Sequence, residues 1–103
     1  MIVENLVRNA FQYGPLDGVV TIHAFADKET FTLQIRDQGP GAPEEKLAKL
    51  FEPFYRGDPS RHHGAGVGLG LALCQRAVAI LGGQIHARNH PDGGLEVSVE
   101  FPR

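Results

Sequence analysis

Phe31-Thr32-Leu33-Gln34-Ile35-Arg36-Asp37-Gln38-Gly39-Pro40-Gly41 is the stretch on which the fold turns. Phe31, Leu33 and Ile35 alternate with Thr32, Gln34 and Arg36, which is the period of a half-buried strand. Asp37 falls two residues after Ile35 and so takes the parity of the buried set. An ionised carboxylate pointing inward is costly unless hydrogen bonds are donated to it. Two sources of donors fit. A turn-initiating aspartate caps nearby backbone amides, and an inward aspartate can also receive the exocyclic amine of a bound ring. Gly39 and Gly41 would allow tight turns and remove side chains from around such a ring.

Working outward, Val20, Ile22 and Ala24 alternate with Thr21 and His23, and the polar stretch Ala26-Asp27-Lys28-Glu29 reads as a hairpin turn back to Phe31. Upstream, Val3, Leu6, Val7 and Ala10 recur at helical spacing over residues 2–13, and Gly14-Pro15 stops that helix. Downstream, Pro43-Glu44-Glu45 starts a short helix, with proline early and acids in the first turn. Residues 68–81 read as a longer helix ended by Gly82-Gly83. Strands follow at 84–89 and 95–101, joined by Pro91-Asp92-Gly93-Gly94; Leu95, Val97, Val99 and Phe101 alternate with Glu96, Ser98 and Glu100. The expected fold class is α+β, a two-layer sandwich in which helices cover one face of a mostly antiparallel mixed sheet.

With 103 residues the chain is a single domain with room for one core. An apolar fraction of 42% and a charged fraction of 21% are ordinary for a globular protein. A net charge of -2 gives no reason to expect nucleic acid or an anionic membrane as the main partner. The lone Cys74 cannot form an internal disulfide, which fits a reducing compartment. No apolar run approaches the ~20 residues of a membrane span, and no signal peptide opens the sequence. The first helix begins at the second residue with no capping group before it, so the chain reads as an N-terminally truncated piece of something longer.

Three further patches carry chemistry. Asn5 and Asn9 share a helix face with Gln12. Amide oxygens are hard, neutral ligands suited to magnesium already partly coordinated by phosphates and water; the bland alternative is two asparagines on a solvated face. Glycines at 64, 66, 68 and 70 run into the longer helix, and backbone amides at a helix N-terminus suit phosphate. A Walker loop is excluded because no lysine follows, and the dinucleotide fingerprint fails because leucine stands at its third glycine position. Phe51, Phe54 and Tyr55 form an aromatic group suited to core or lid packing, and Arg56 is placed as a γ-phosphate contact or a surface arginine. The polar stretch 57–65 reads as a lid. His23, His62, His63, His86 and His90 show no ligand pattern.

The conjunction resembles the sensor histidine kinases. Asn5-Leu6-Val7-Arg8-Asn9-Ala10 looks like their N box and Asp37-Gln38-Gly39-Pro40-Gly41 like the G1 box. Leu50-Phe51-Glu52-Pro53-Phe54-Tyr55-Arg56 looks like the F box, and Gly66-Val67-Gly68-Leu69-Gly70-Leu71 like the G2 box. Four boxes in order make a specific signal. The resemblance implies the Bergerat ATP-binding fold shared with gyrase and MutL, with ATP and Mg2+ as cofactors. It implies that Asn9 ligates the metal, Asn5 assists at the metal or phosphates, Tyr13 lines the site and Asp37 binds the adenine amine. Gly39, Gly41, Phe54 and Tyr55 would complete the pocket, and Gly66 to Leu71 would wrap the phosphates. Gln12 stands where many such kinases carry lysine, so one phosphate contact differs.

Within that superfamily, ATPases resemble a pattern with glutamate four residues before the metal asparagine. This chain has Asn5 there, and an amide is a poor base for activating water. Transfer to an external nucleophile is the expectation: a histidine on a separate dimerisation domain, and from it a response regulator aspartate. No phosphoacceptor motif is present in these residues. An ATP-hydrolysing member of the fold and a non-catalytic nucleotide-binding or interaction module are the alternatives. The resemblance implies a cytoplasmic domain whose parent is anchored in the bacterial inner membrane. A missing opening strand would leave an unpaired sheet edge, so a strand-exchanged dimer is a further partner expectation.

Overall fold

The computed structural model describes residues 2–15, 17–53 and 70–103. Helix α1 (Ile2–Tyr13) leads into a hairpin of β1 (Thr21–Ala26) and β2 (Thr30–Arg36). Two short 3-10 turns follow (Glu44–Lys46 and Ala48–Phe51), then α2 (Gly70–Ile80), β3 (Gln84–Asn89) and β4 (Leu95–Pro102). The four strands form one sheet in the order β1-β2-β4-β3, so the C-terminal strand β4 is inserted beside β2. Every pairing described is antiparallel, more uniform than the mixed sheet expected. The short helix expected after Pro43 is the pair of 3-10 turns.

Both hairpins follow from their sequences. Asp27 Oδ1 accepts the amides of Glu29 at 2.8 Å and Thr30 at 2.7 Å, closing the β1–β2 turn as an Asx motif. Gly93 and Gly94 both take positive φ, +103° and +87°, in the β3–β4 turn. Helix α2 ends in a Schellman arrangement: Gly82, at φ +80°, donates to Ala79 O, and Gly83 donates to Val78 O.

One core joins the layers. Leu6 and Ala10 of α1, and Leu71, Cys74 and Val78 of α2, lie on Ile35 of β2 and Leu95, Val97 and Val99 of β4; Leu50 closes one end. The helices therefore cover the two central strands. Ile35 is 1% exposed, whereas Phe31, at the other end of the same strand face, is 41% exposed. All six residues of the edge strand β1 are exposed, despite their clean alternation. Alternation selects a face, but burial also requires a layer above it. Glu96, on the polar parity of β4, is buried because Arg88 lies opposite and donates through Nε at 2.7 Å. Among the described residues, no helix is long and apolar enough to cross a membrane.

Candidate functional site

Asp37 lies immediately beyond β2 and is 2% exposed, as its parity predicts. Its backbone extends the β2–β4 ladder, with its amide donating to Leu95 O at 3.0 Å. Leu95 N–H in turn donates to Asp37 Oδ1 at 3.1 Å, and Gly39 N–H donates to the same oxygen at 2.8 Å. Amide capping and inward burial thus operate on one residue. Oδ1 carries both bonds, while Oδ2 has no donor among the described residues. Burial pushes the carboxyl above the usual aspartate range, against the lowering effects of the Leu95 and Gly39 amides and the Arg36 charge.

Two glycines let backbone close around this acid. A Cβ on Gly94 would overlap the Asp37 carbonyl, so the β3–β4 turn approaches as only glycine permits. A Cβ on Gly14 would lie 3.4 Å from Asp37 Cβ and 3.2 Å from Ala10 O, which brings the end of α1 against the aspartate. Ala10, Gly14, Val20 and Asp37 line a small recess there. Gln38 ties in the preceding connection by accepting the Val19 amide through Oε1 at 3.0 Å.

The Gly39–Gly41 segment continues from the acid. Gly41 sits at φ +74°, and Asn89 of β3 occupies the space a side chain would fill. The Asn89 amide group accepts from Ala42 N–H at 2.8 Å and donates to Ala42 O at 2.6 Å. Sequence reasoning did not single out Asn89, although a signal was present. It has the parity of Ile85 and Ala87, so it is a polar residue in an inward position, as Asp37 is.

Helix α1 presents Asn5 and Asn9, both half-buried. Asn5 lies beside the Cys74 thiol and lowers its pKa against the larger raising effect of burial, which places the Asn5 side chain at the α1–α2 contact. Asn9 lies five residues before Gly14, about 7.5 Å along the helix axis. Tyr13 closes α1, and its side chain lies outside the described residues. Gly70 opens the described part of α2 with no neighbour within 4 Å of an added Cβ, whereas the Leu71 side chain is in the core. Phe54, Tyr55, Arg56, Gly66, Val67, Gly68 and Leu69 lie outside the described residues, as do the lid stretch and residues 68–69 of the expected helix.

A groove of 440 Å³ between the 3-10 turns, α2 and β3 is lined by Leu47, Phe51, Gln75, Ile85 and His86, among others, and contains none of the predicted site residues. Among the described residues there is no group of three His, Cys, Asp or Glu side chains able to hold a metal. Asn5 and Asn9 on α1 carry side-chain amides, whose oxygens are neutral ligands. Such a set suits a hard cation that arrives with phosphate oxygens rather than one caged by protein carboxylates.

The family described as histidine kinase-, DNA gyrase B- and HSP90-like ATPase matches residues 1–103. Sensor protein PfeS of Pseudomonas aeruginosa is 41% identical over 91 residues, covering 88% of this chain and 20% of PfeS. The chain thus spans about a fifth of that relative. The solved mycobacterial sensor histidine kinase MprB superposes with a TM-score of 0.86 at 30% identity, covering 98% of this chain and 69% of that one. Full-length ShkA, solved in complex with AMPPNP, gives a TM-score of 0.78 at 29% identity, covering 98% of this chain and 20% of ShkA. Relatives, solved neighbours and an inward aspartate ahead of a glycine loop agree: this chain belongs to the histidine kinase-, DNA gyrase B- and HSP90-like ATPase family, on its sensor histidine kinase branch.

Proposed function

We propose that this domain binds Mg-ATP around Asp37 and supplies the γ-phosphate to a histidine on a separate dimerisation domain. The observation that carries this reading is at the buried Asp37, where one carboxylate oxygen is held by two backbone amides and the other has no donor among the described residues. The adenine amine is the donor that completes it. ShkA, a structural neighbour, has been solved with an ATP analogue, which supports the same ligand class here.

In this reading Asn9 is the protein ligand to magnesium, and Asn5 assists there by turning from Cys74 toward the phosphates. Bound magnesium would neutralise phosphate charge during transfer. Gly39 and Gly41 leave the ring space, Tyr13, Phe54 and Tyr55 wall it, and Gly66 to Leu71 surround the phosphates, with Arg56 on the γ-phosphate. Asn5 cannot act as a base, so bound ATP is kept from water attack and reserved for the histidine. A response regulator aspartate is the next acceptor, on the cytoplasmic side of a membrane-anchored parent. The edge of β1, which no strand covers among the described residues, accepts a further strand, from a preceding segment of a longer chain or a second copy by strand exchange.

The test joins this domain to a dimerisation domain bearing the acceptor histidine and follows 32P transfer. Asn9→Ala is expected to abolish transfer while the circular dichroism spectrum stays native. Transfer at the unmutated rate would remove the metal assignment.

A further inference from the structure

The loop carrying Gly39, Pro40 and Gly41 is fastened at both ends to one rung of the sheet. Asn89 and Leu95 are register partners across β3 and β4. Leu95 holds the start of the loop through its two backbone bonds with Asp37. Asn89 holds the end, its side-chain amide pairing with both the N–H and the C=O of Ala42 as a neighbouring strand would. Gly41 supplies the room, since a Cβ there would overlap Asn89 Oδ1.

From this we infer that Asn89 is a positioning residue for nucleotide binding: its side-chain amide fixes the Gly39–Ala42 backbone beside the Asp37 carboxylate in the shape that receives the ring. The inference rests on the ATP reading above and extends it to a residue outside the four sequence boxes. The chemistry requires a primary amide, because Ala42 presents a donor and an acceptor together and only an amide of this length answers both. Aspartate would keep the acceptor and set its second oxygen against Ala42 O, close to Glu44 Oε1, which Asn89 Nδ2 approaches at 3.4 Å. Alanine would remove both bonds. The backbone ladder between β3 and β4 uses neither side-chain atom, so either substitution releases the loop and leaves the rung in place.

The deciding experiment titrates a non-hydrolysable ATP analogue into the unmutated chain, Asn89→Ala and Asn89→Asp by calorimetry. Amide hydrogen exchange at Ala42 and Leu95 is followed without nucleotide. Asn89→Ala is expected to bind roughly tenfold more weakly, the loss that follows when two neutral hydrogen bonds no longer hold a loop in its binding shape. Asn89→Asp should bind at least as weakly while keeping the side-chain volume, so it stands in if the alanine variant does not fold. Ala42 exchange should accelerate most in Asn89→Ala, which loses the acceptor of the Ala42 amide, while Leu95 stays protected in both. Unchanged affinity in the variants would overturn the inference, and so would a loss of Leu95 protection in step with affinity, which would make Asn89 a residue of general stability. A folded unmutated chain that binds no analogue would instead overturn the ATP reading itself.

Discussion

The amide of Leu95 donates to Asp37 Oδ1 at 3.1 Å across a sequence separation of 58, so the C-terminal hairpin holds the acid at the centre of the site. The approach depends on Gly94, where an added Cβ would overlap the Asp37 carbonyl and φ is +87°. Gly94→Ala combines a backbone clash with a strained φ and is expected to cost about 3 kcal/mol or more. Gly93→Ala is also strained, at φ +103°, but has no neighbour within 4 Å, and should cost only about 1 kcal/mol. Urea unfolding of the two variants measures the difference; equal losses would contradict the close approach.

Asp37 is expected to weaken the nucleotide-free fold at neutral pH. Its folded-state pKa is raised by burial, so the unfolded chain gives up its proton first as pH rises through the ordinary value of 3.8. The stability associated with the protonated acid is complete below that value and is lost as pH climbs through the raised folded pKa. The side-chain amide introduced by Asp37→Asn does not titrate and can still accept the Leu95 and Gly39 amides through its oxygen. The variant should therefore match the unmutated chain in strong acid and become the more stable of the two as pH rises toward neutrality. Thermal melts across that range test the sign, and a variant less stable at neutral pH would reverse it.

How much of this arrangement the sequence reveals depends on which physical effect sets each feature. Parity with Ile35 is local, and it located Asp37; the helices and the last two strands were equally legible from their periods. The partner of Asp37 was not legible, because β4 lies beside β2 only through a nonlocal strand order. Asn89 shows the same inward parity as Asp37, yet its meaning depends on the Ala42 backbone brought to it by that order. Ile22 reads as a buried strand residue and is 51% exposed, because its burial is decided by an adjacent layer rather than by its own neighbours.

Cys74 tests the core between the helices. Its thiol is fully buried, lies 3.7 Å from Ile2 O, and is pushed to higher pKa by desolvation. A buried, protonated thiol is a poor nucleophile. Labelling by a thiol-reactive disulfide such as DTNB should be slow in the native protein and accelerate with urea in parallel with loss of circular dichroism. Rapid labelling of the native chain would show that the α1–α2 contact opens locally.

Strand β1, an edge of the described sheet, carries none of the charged or proline residues that protect sheet edges. Thr21–Ala26 contains no lysine, acid or proline, and Phe25, on the polar parity, is 45% exposed. The 103-residue chain is expected to self-associate with rising concentration, and Phe25→Lys should shift sedimentation toward the monomer. Identical sedimentation of both forms across the concentration range would contradict pairing at this edge.

Receipt of the adenine amine by the second oxygen of Asp37 is tested by calorimetric titration of a non-hydrolysable ATP analogue with magnesium into the unmutated chain and Asp37→Asn. The asparagine amide keeps the two backbone bonds but presents a donor where the ring also presents one. Saturable binding to the unmutated chain is expected, with at least about a tenfold loss in the variant, whose nucleotide-free melting temperature at neutral pH is no lower. Equal affinity of the two proteins would contradict the contact between Asp37 and the adenine amine.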